Sequence, residues 1–126
     1  MERPVKNIKK AQRESLLLKE IAHLFLEKSF EDPELKSIFI NRVELSPNSG
    51  MCTVYFYSSE GKEAFEKTLE RLKLYKSSLR KSIASRINPR YTPEIVFRFD
   101  EQLKKQLEIE ELIERVKTHD ARHSDK

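Results

Sequence analysis

From Arg71 to Arg90 the chain reads RLKLYKSSLRKSIASRINPR, a run with seven cations and no carboxylate. Within it Leu72, Leu79, Ile83 and Ile87 recur at helical spacing and form one stripe. The next stretch, TPEIVFRFD, alternates Ile95, Phe97 and Phe99 with polar or exposed positions, the period of a strand. A basic helix is thus joined to a strand by a short turn bounded by Pro89 and Pro93. Such a helix can lie on a sheet by its apolar stripe and turn its cations toward an anionic partner.

The rest of the chain supplies that sheet. The spacing of Leu17, Leu18, Ile21, Leu24 and Phe25 predicts a helix over 15–29, starting as early as Asn7. Asp32-Pro33 shapes a turn. Ile38 to Leu45 reads as a strand with Phe39, Val43 and Leu45 on one side and Ile38, Ile40, Arg42 and Glu44 on the other. Pro47-Asn48-Ser49-Gly50 is a turn, with Gly50 available for positive φ. Met51 to Tyr57 is a second strand, with Cys52, Val54 and Phe56 on one face and Thr53, Tyr55 and Tyr57 on the other. The two make an antiparallel hairpin.

Helical spacing then runs from Lys62 to Ile87 but falters at Tyr75-Lys76-Ser77-Ser78, which predicts a kink or a break there. Asn88-Pro89 ends it. Glu94 to Phe99 is the third strand, and two intervening helices are long enough for a parallel crossover. Glu101 to Lys117 is a last helix or a mobile segment, with Leu103, Leu107, Leu112, Ile113 and Val116. Three units are expected: a basic mobile arm over 1–9, one domain over 10–113, and a disordered polar tail over 114–126.

Charge narrows the function. The net charge is only +4 over 126 residues, but cations and carboxylates segregate along the chain. Lys9, Lys10 and Arg13 lie in a second basic segment, and Glu101, Glu108, Glu110, Glu111 and Glu114 gather near the C-terminus. A basic face that meets nucleic-acid phosphates is the natural reading. The candidate RNA-binding residues are Lys73, Lys76, Arg80, Lys81, Arg86, Arg90, Lys9, Lys10 and Arg13.

Other chemistry is poorly supplied. Two glycines are too few for phosphate-cradling or dinucleotide-binding loops. Cys52 reads as a small core residue. His119 and His123 are spaced as in a helical metal site but lie in the polar tail. Asp100 and Glu101 stand at a strand end, where a cap or turn role is the common one. Tyr55 and Tyr57 on an open sheet face could stack bases. No apolar run approaches the roughly 20 residues of a membrane span, and MERPVKNIKK lacks a signal-peptide core. A cytoplasmic, monomeric protein is expected, with no cofactor, no metal, no small-molecule substrate, no membrane partner and no enzymatic activity.

Several short stretches together resemble the bacterial ribosome-binding factor A family. Arg90-Tyr91-Thr92-Pro93-Glu94-Ile95-Val96-Phe97-Arg98-Phe99-Asp100 is similar to that family's R-x-x-P-E-L-x-F-x-x-D signature. Asp32-Pro33-Glu34-Leu35 resembles its D-P-x-L turn. Val43-Glu44-Leu45-Ser46 and Val54-Tyr55-Phe56 resemble its hairpin strands, and Ser78-Leu79-Arg80-Lys81-Ser82-Ile83 its helix with a central arginine.

The resemblance implies an α+β type II KH-like fold: helix, strand, strand, helix, kink, helix, strand, with a three-stranded mixed sheet packed on helices and no GxxG loop. It also implies binding to the immature 30S subunit and to 16S rRNA near its 5′-terminal helix. The role would be 16S 5′-end maturation, important in the cold. Tyr75-Lys76-Ser77 stands where the family pattern has A-x-G, so the bend must be made without glycine. Asn48, Cys52, Gln102 and Gln106 replace the pattern's aspartate, alanine, serine and glycine. Two alternatives stay open: a KH-like regulatory module acting on other transcripts, and a metal-dependent nuclease built on Asp100 and Glu101.

Overall fold

Phe56 lies at the centre of the molecule, 1% exposed. Its ring meets Phe25 edge-on at 5.4 Å, Phe97 edge-on at 5.7 Å and Phe65 at 5.8 Å. The three partners come from a helix, a strand and a second helix, so this cluster joins sheet to helical layer. The computed structural model describes residues 4–86, 90 and 92–124, and the backbone alone for 4–8 and 119–124.

The order is α1 (Pro4–Glu31), a 3-10 turn (Pro33–Ser37), β1 (Phe39–Leu45), β2 (Met51–Tyr57), α2 (Lys62–Leu74), α3 (Lys76–Arg86), β3 (Glu94–Phe99) and α4 (Glu101–Ser124). The sheet order is β1-β2-β3, antiparallel between β1 and β2 and parallel between β2 and β3. The two helices α2 and α3 make the crossover that a parallel pair requires. Leu17 and Ile21 of α1, Phe65 and Leu72 of α2, and Leu79 and Ile83 of α3 are buried with Cys52, Val54, Ile95 and Phe99 of the sheet. This is the mixed-sheet α+β architecture expected of a KH-like domain.

β1 departs from simple alternation. Ile40 pairs with Phe56 and Arg42 with Tyr55, leaving Asn41 unpaired in a bulge. One extra residue inverts the facing of everything before it. Ile40 therefore packs on the core with Val43 and Leu45, while Phe39 is 50% exposed, the reverse of the expected assignment. In the hairpin turn the positive φ falls at Ser49 (58°), not at Gly50. Asn48 Oδ1 accepts from the Gly50 amide at 3.0 Å and from the Ser46 hydroxyl at 2.7 Å, which shapes the turn from its polar side chains.

Both ends of the chain are more helical than expected. α1 starts at Pro4, suited to a first helical turn, so residues 4–9 extend α1 where an arm was expected. α4 runs to Ser124 through the segment expected to be a tail. It contains no glycine or proline and carries an Arg115–Glu111 pair at 2.6 Å. The expected helix end at Asn88-Pro89 lies outside the described residues. Among the described residues no helix is long and apolar enough to cross a membrane.

Asp100 joins β3 to α4 and has no solvent exposure. Its Oδ2 accepts from Asn41 Nδ2 at 2.8 Å and from Arg42 Nε at 3.0 Å. Its Oδ1 accepts from the Leu103 amide at 3.0 Å, which caps α4, and from Arg42 at 3.4 Å. Burial alone would push this carboxyl up. The hydrogen bonds from Arg42, Asn41 and the Leu103 amide, with the Arg42 charge, outweigh burial and hold it below its ordinary value.

Asp100→Asn keeps the shape and the cap but removes the buried charge opposite Arg42, leaving it only the exposed Glu44 at 2.6 Å. Urea unfolding at neutral pH should show a loss of about 2–3 kcal/mol, less than the roughly 3–5 for a fully enclosed pair because Arg42 reaches solvent. Since the folded carboxyl titrates below the unfolded one, its stabilisation is complete above the ordinary value of 3.8 and disappears as pH falls through the depressed folded value. Unfolding of the Asn variant should lack this part of the acid dependence. An unchanged midpoint at pH 7 would mean the clamp contributes little.

Candidate nucleic-acid interface

α3 is held by Leu79 and Ile83, so its cations divide between two flanks. On one flank Ser82 donates to Glu20 of α1 at 2.9 Å and Arg86 pairs with the same carboxylate at 3.2 Å. On the other, Lys76 Nζ lies 5.7 Å from the centre of the Phe97 ring, and an Arg80 guanidinium nitrogen donates to the Thr92 carbonyl at 3.5 Å. Lys81 is exposed beside them.

Lys76, Arg80 and Lys81 line an open groove of about 440 Å³ between α3 and the start of β3. Ser77, Ala84 and Thr92 keep its walls low, and Glu94 is its one carboxylate among the described residues. Three cations against one anion, on small side chains, can admit a sugar-phosphate backbone.

The other expected contact residues stand elsewhere. Lys73 is on α2, 3.2 Å from Glu70. Lys9 and Lys10 lie on α1, the first exposed and the second half-buried. Arg13 donates to the Ser49 hydroxyl at 3.4 Å and so ties α1 to the hairpin turn. Arg90 is exposed in the turn before β3.

The tyrosines of the sheet are engaged internally. The Arg42 guanidinium lies 3.8 Å from the Tyr55 ring centre, covering one face. Tyr57 stacks on Phe99 at 5.5 Å and meets the Phe39 edge at 5.8 Å. Cys52 is fully buried, and burial, aided by Glu14, pushes its thiol up to about 12, so it is no nucleophile at neutral pH. The Asp100 oxygens are committed to four donors, and Glu101 pairs with Lys62 at 3.2 Å, which leaves little for a metal ion. No group of three potential metal-ligating His, Cys, Asp or Glu side chains occurs among the described residues.

The family model described as ribosome-binding factor A matches residues 9–113. The chain belongs to the ribosome-binding factor A family. It is 34% identical over 113 residues to the ribosome-binding factor A of Prochlorococcus marinus strain MIT 9301, covering 88% of this chain and 86% of that one. It is 33% identical over 102 residues to that of Halothermothrix orenii, covering 81% and 83%. The crystal structure of ribosome-binding factor A from Thermus thermophilus superposes with a TM-score of 0.59 at 26% identity, covering 71% of this chain and 93% of that one.

Within this family, the α2–α3 junction is where the chain's own solution is clearest. Tyr75 takes φ −94° and ψ 0°, a conformation open to any residue, so no glycine is needed. Its amide donates to the carbonyls of Leu72 and Lys73, and its own carbonyl accepts from the Leu79 amide at 2.9 Å. The side chain reaches out of the bend. Its hydroxyl donates to Asp32 at 3.3 Å, beside the Arg71–Asp32 pair at 2.8 Å, and Lys28 lies 5.4 Å from its ring centre. Burial, then the Asp32 charge, raise the hydroxyl's pKa and keep it a donor. Arg71 also binds Glu34 at 2.8 Å. This cation of the basic run thus serves the fold, through carboxylates of the turn that follows α1.

Tyr75→Phe should cost about 1 kcal/mol, one hydrogen bond. Tyr75→Ala should cost about 2 kcal/mol, below the roughly 3–5 of a buried aromatic because this ring is only half-buried. Chemical denaturation of both variants checks this; equal losses would show that the ring contributes nothing beyond its hydroxyl.

Proposed function

We propose that this chain is a non-enzymatic ribosome assembly factor that binds the immature 30S subunit through 16S rRNA, near its 5′-terminal helix, and assists 16S 5′-end maturation. Its work lies in the cytoplasm and matters most in the cold. The observation that carries the reading is the convergence of Lys76, Arg80 and Lys81 on one groove in a member of a family named for ribosome binding. Cations on phosphates give affinity and position with little sequence preference. Selectivity would then come from the shape of the rRNA that fits, and the factor favours whichever rRNA conformation it binds better. Lys9, Lys10, Lys73 and Arg90 would add outer contacts, and Arg86 would first have to leave Glu20.

Arg80→Glu with Lys81→Glu leaves the buried side of α3 untouched. Its 30S affinity should drop, and the slope of log affinity against log salt should become shallower by roughly 1.5, about 0.7–0.9 per lost phosphate contact. Unchanged binding would move the site away from α3. In cells, deletion of the gene should leave unprocessed 16S 5′ ends and fewer 30S particles at low temperature. Normal processing, with the protein found on messenger RNA instead, would favour the regulatory-module alternative.

A further inference from the structure

α4 leaves the body of the domain at the Asp100 cap, and every described residue from Lys104 to Thr118 is exposed. One side of it is nonetheless apolar: Ile109, Leu112, Ile113 and Val116 are 57%, 58%, 49% and 59% exposed. Ile109, Leu112 and Val116 have the three-then-four spacing of a helix-pairing seam, and Ile113 borders it. An apolar stripe of this kind on an exposed helix calls for a partner.

The charges beside the seam say which partner. One flanking position, repeated every seven residues, is occupied by Glu101, Glu108, Arg115 and Arg122. Read backwards, acid-acid-base-base becomes base-base-acid-acid. Two copies of α4 laid antiparallel therefore set Glu108 opposite Arg115 of the second copy, twice, and position 101 opposite position 122, twice. In a parallel pair this flank meets the other flank of the partner instead, which sets Glu101 against Gln106 and Glu108 against Ile113.

The same side of α4 opens, near its start, on a groove of about 410 Å³ lined by Asn41, Arg42, Gln102, Lys105 and Ile109. The C-terminal turns of a second helix could seat there. The present partners of the flanking charges, Glu111 for Arg115 and Lys62 for Glu101, are exposed pairs that exchange at little cost.

We propose that α4 is a self-pairing element, joining two copies of this chain through an antiparallel helix pair. The seam is short, so the dimer is concentration-dependent rather than obligate. The monomer expected from sequence would be its dilute limit. With 24 residues per helix, pairing holds the two domains at opposite ends, roughly 35 Å apart along the helix axis.

The test is sedimentation equilibrium of the full chain, without RNA, from about 10 µM to 1 mM. The apparent mass should rise from 15.0 kDa toward twice that value. Leu112→Glu should hold it at the monomer value. Glu108→Arg and Arg115→Glu should each weaken association at least about tenfold, and the double variant should recover it. Amide NMR signals of the sheet should stay unchanged in all variants, since these side chains lie on an exposed helix. A monomer throughout the range overturns the proposal. So does a dimer that ignores the single charge reversals or is not restored by the double one.

Discussion

A carboxylate without solvent must be surrounded by donors, and Asp100 draws its own from two separate elements. Asn41 and Arg42 come from the first strand and the Leu103 amide from the last helix. The Asp100 amide itself donates to the Phe56 carbonyl at 2.7 Å. The bulge in β1 exists in the geometry that points Asn41 and Arg42 at this group. That same bulge turns Ile40 into the core, leaves Phe39 outside and lays Arg42 over Tyr55. One buried charge therefore sets the register of an edge strand, the use of a sheet tyrosine and the origin of α4. Leaving either partner alone would be costly, which ties these features into one unit.

The helical layer is governed by a second set of carboxylates. Asp32 and Glu34 hold Arg71, Glu20 holds Arg86, and Glu70 holds Lys73. A basic run that looks uniform in sequence is thereby sorted into cations that brace the fold and cations that face an open groove. Lys76 belongs partly to each group, since its ammonium sits over Phe97 at the groove wall. The reading as a ribosomal RNA-binding factor rests on the second group and on the family to which the chain belongs.

Much of the fold was legible because it depends on near neighbours. The strands Met51–Tyr57 and Glu94–Phe99 alternate cleanly and occur with those bounds. The faltering stripe at Tyr75 marked a real break, and Asp100, read as a cap or turn residue at a strand end, caps α4. The misplaced features have separate physical causes. The facing of Phe39 and Ile40 depends on a bulge whose partner lies 59 residues from Asn41. The positive φ at Ser49 depends on how Asn48 and Ser46 close the turn. The lengths of α1 and α4 follow from helix propensity in polar segments, where an apolar stripe gives little guidance.

Local pattern thus determined the order of elements, the core face of β2 and β3, the break between α2 and α3, and the presence of a basic helix. Those properties follow from side-chain period and backbone preference within a few residues. The tertiary structure decided which cations are spent on carboxylates, how the α2–α3 bend is anchored, which way the start of β1 faces, and that the apolar side of α4 stands uncovered. Each of these turns on which distant parts of the chain meet and which do not. Such pairings are chosen by burial and charge neutralisation in the folded state, and neighbouring residues carry no mark of them.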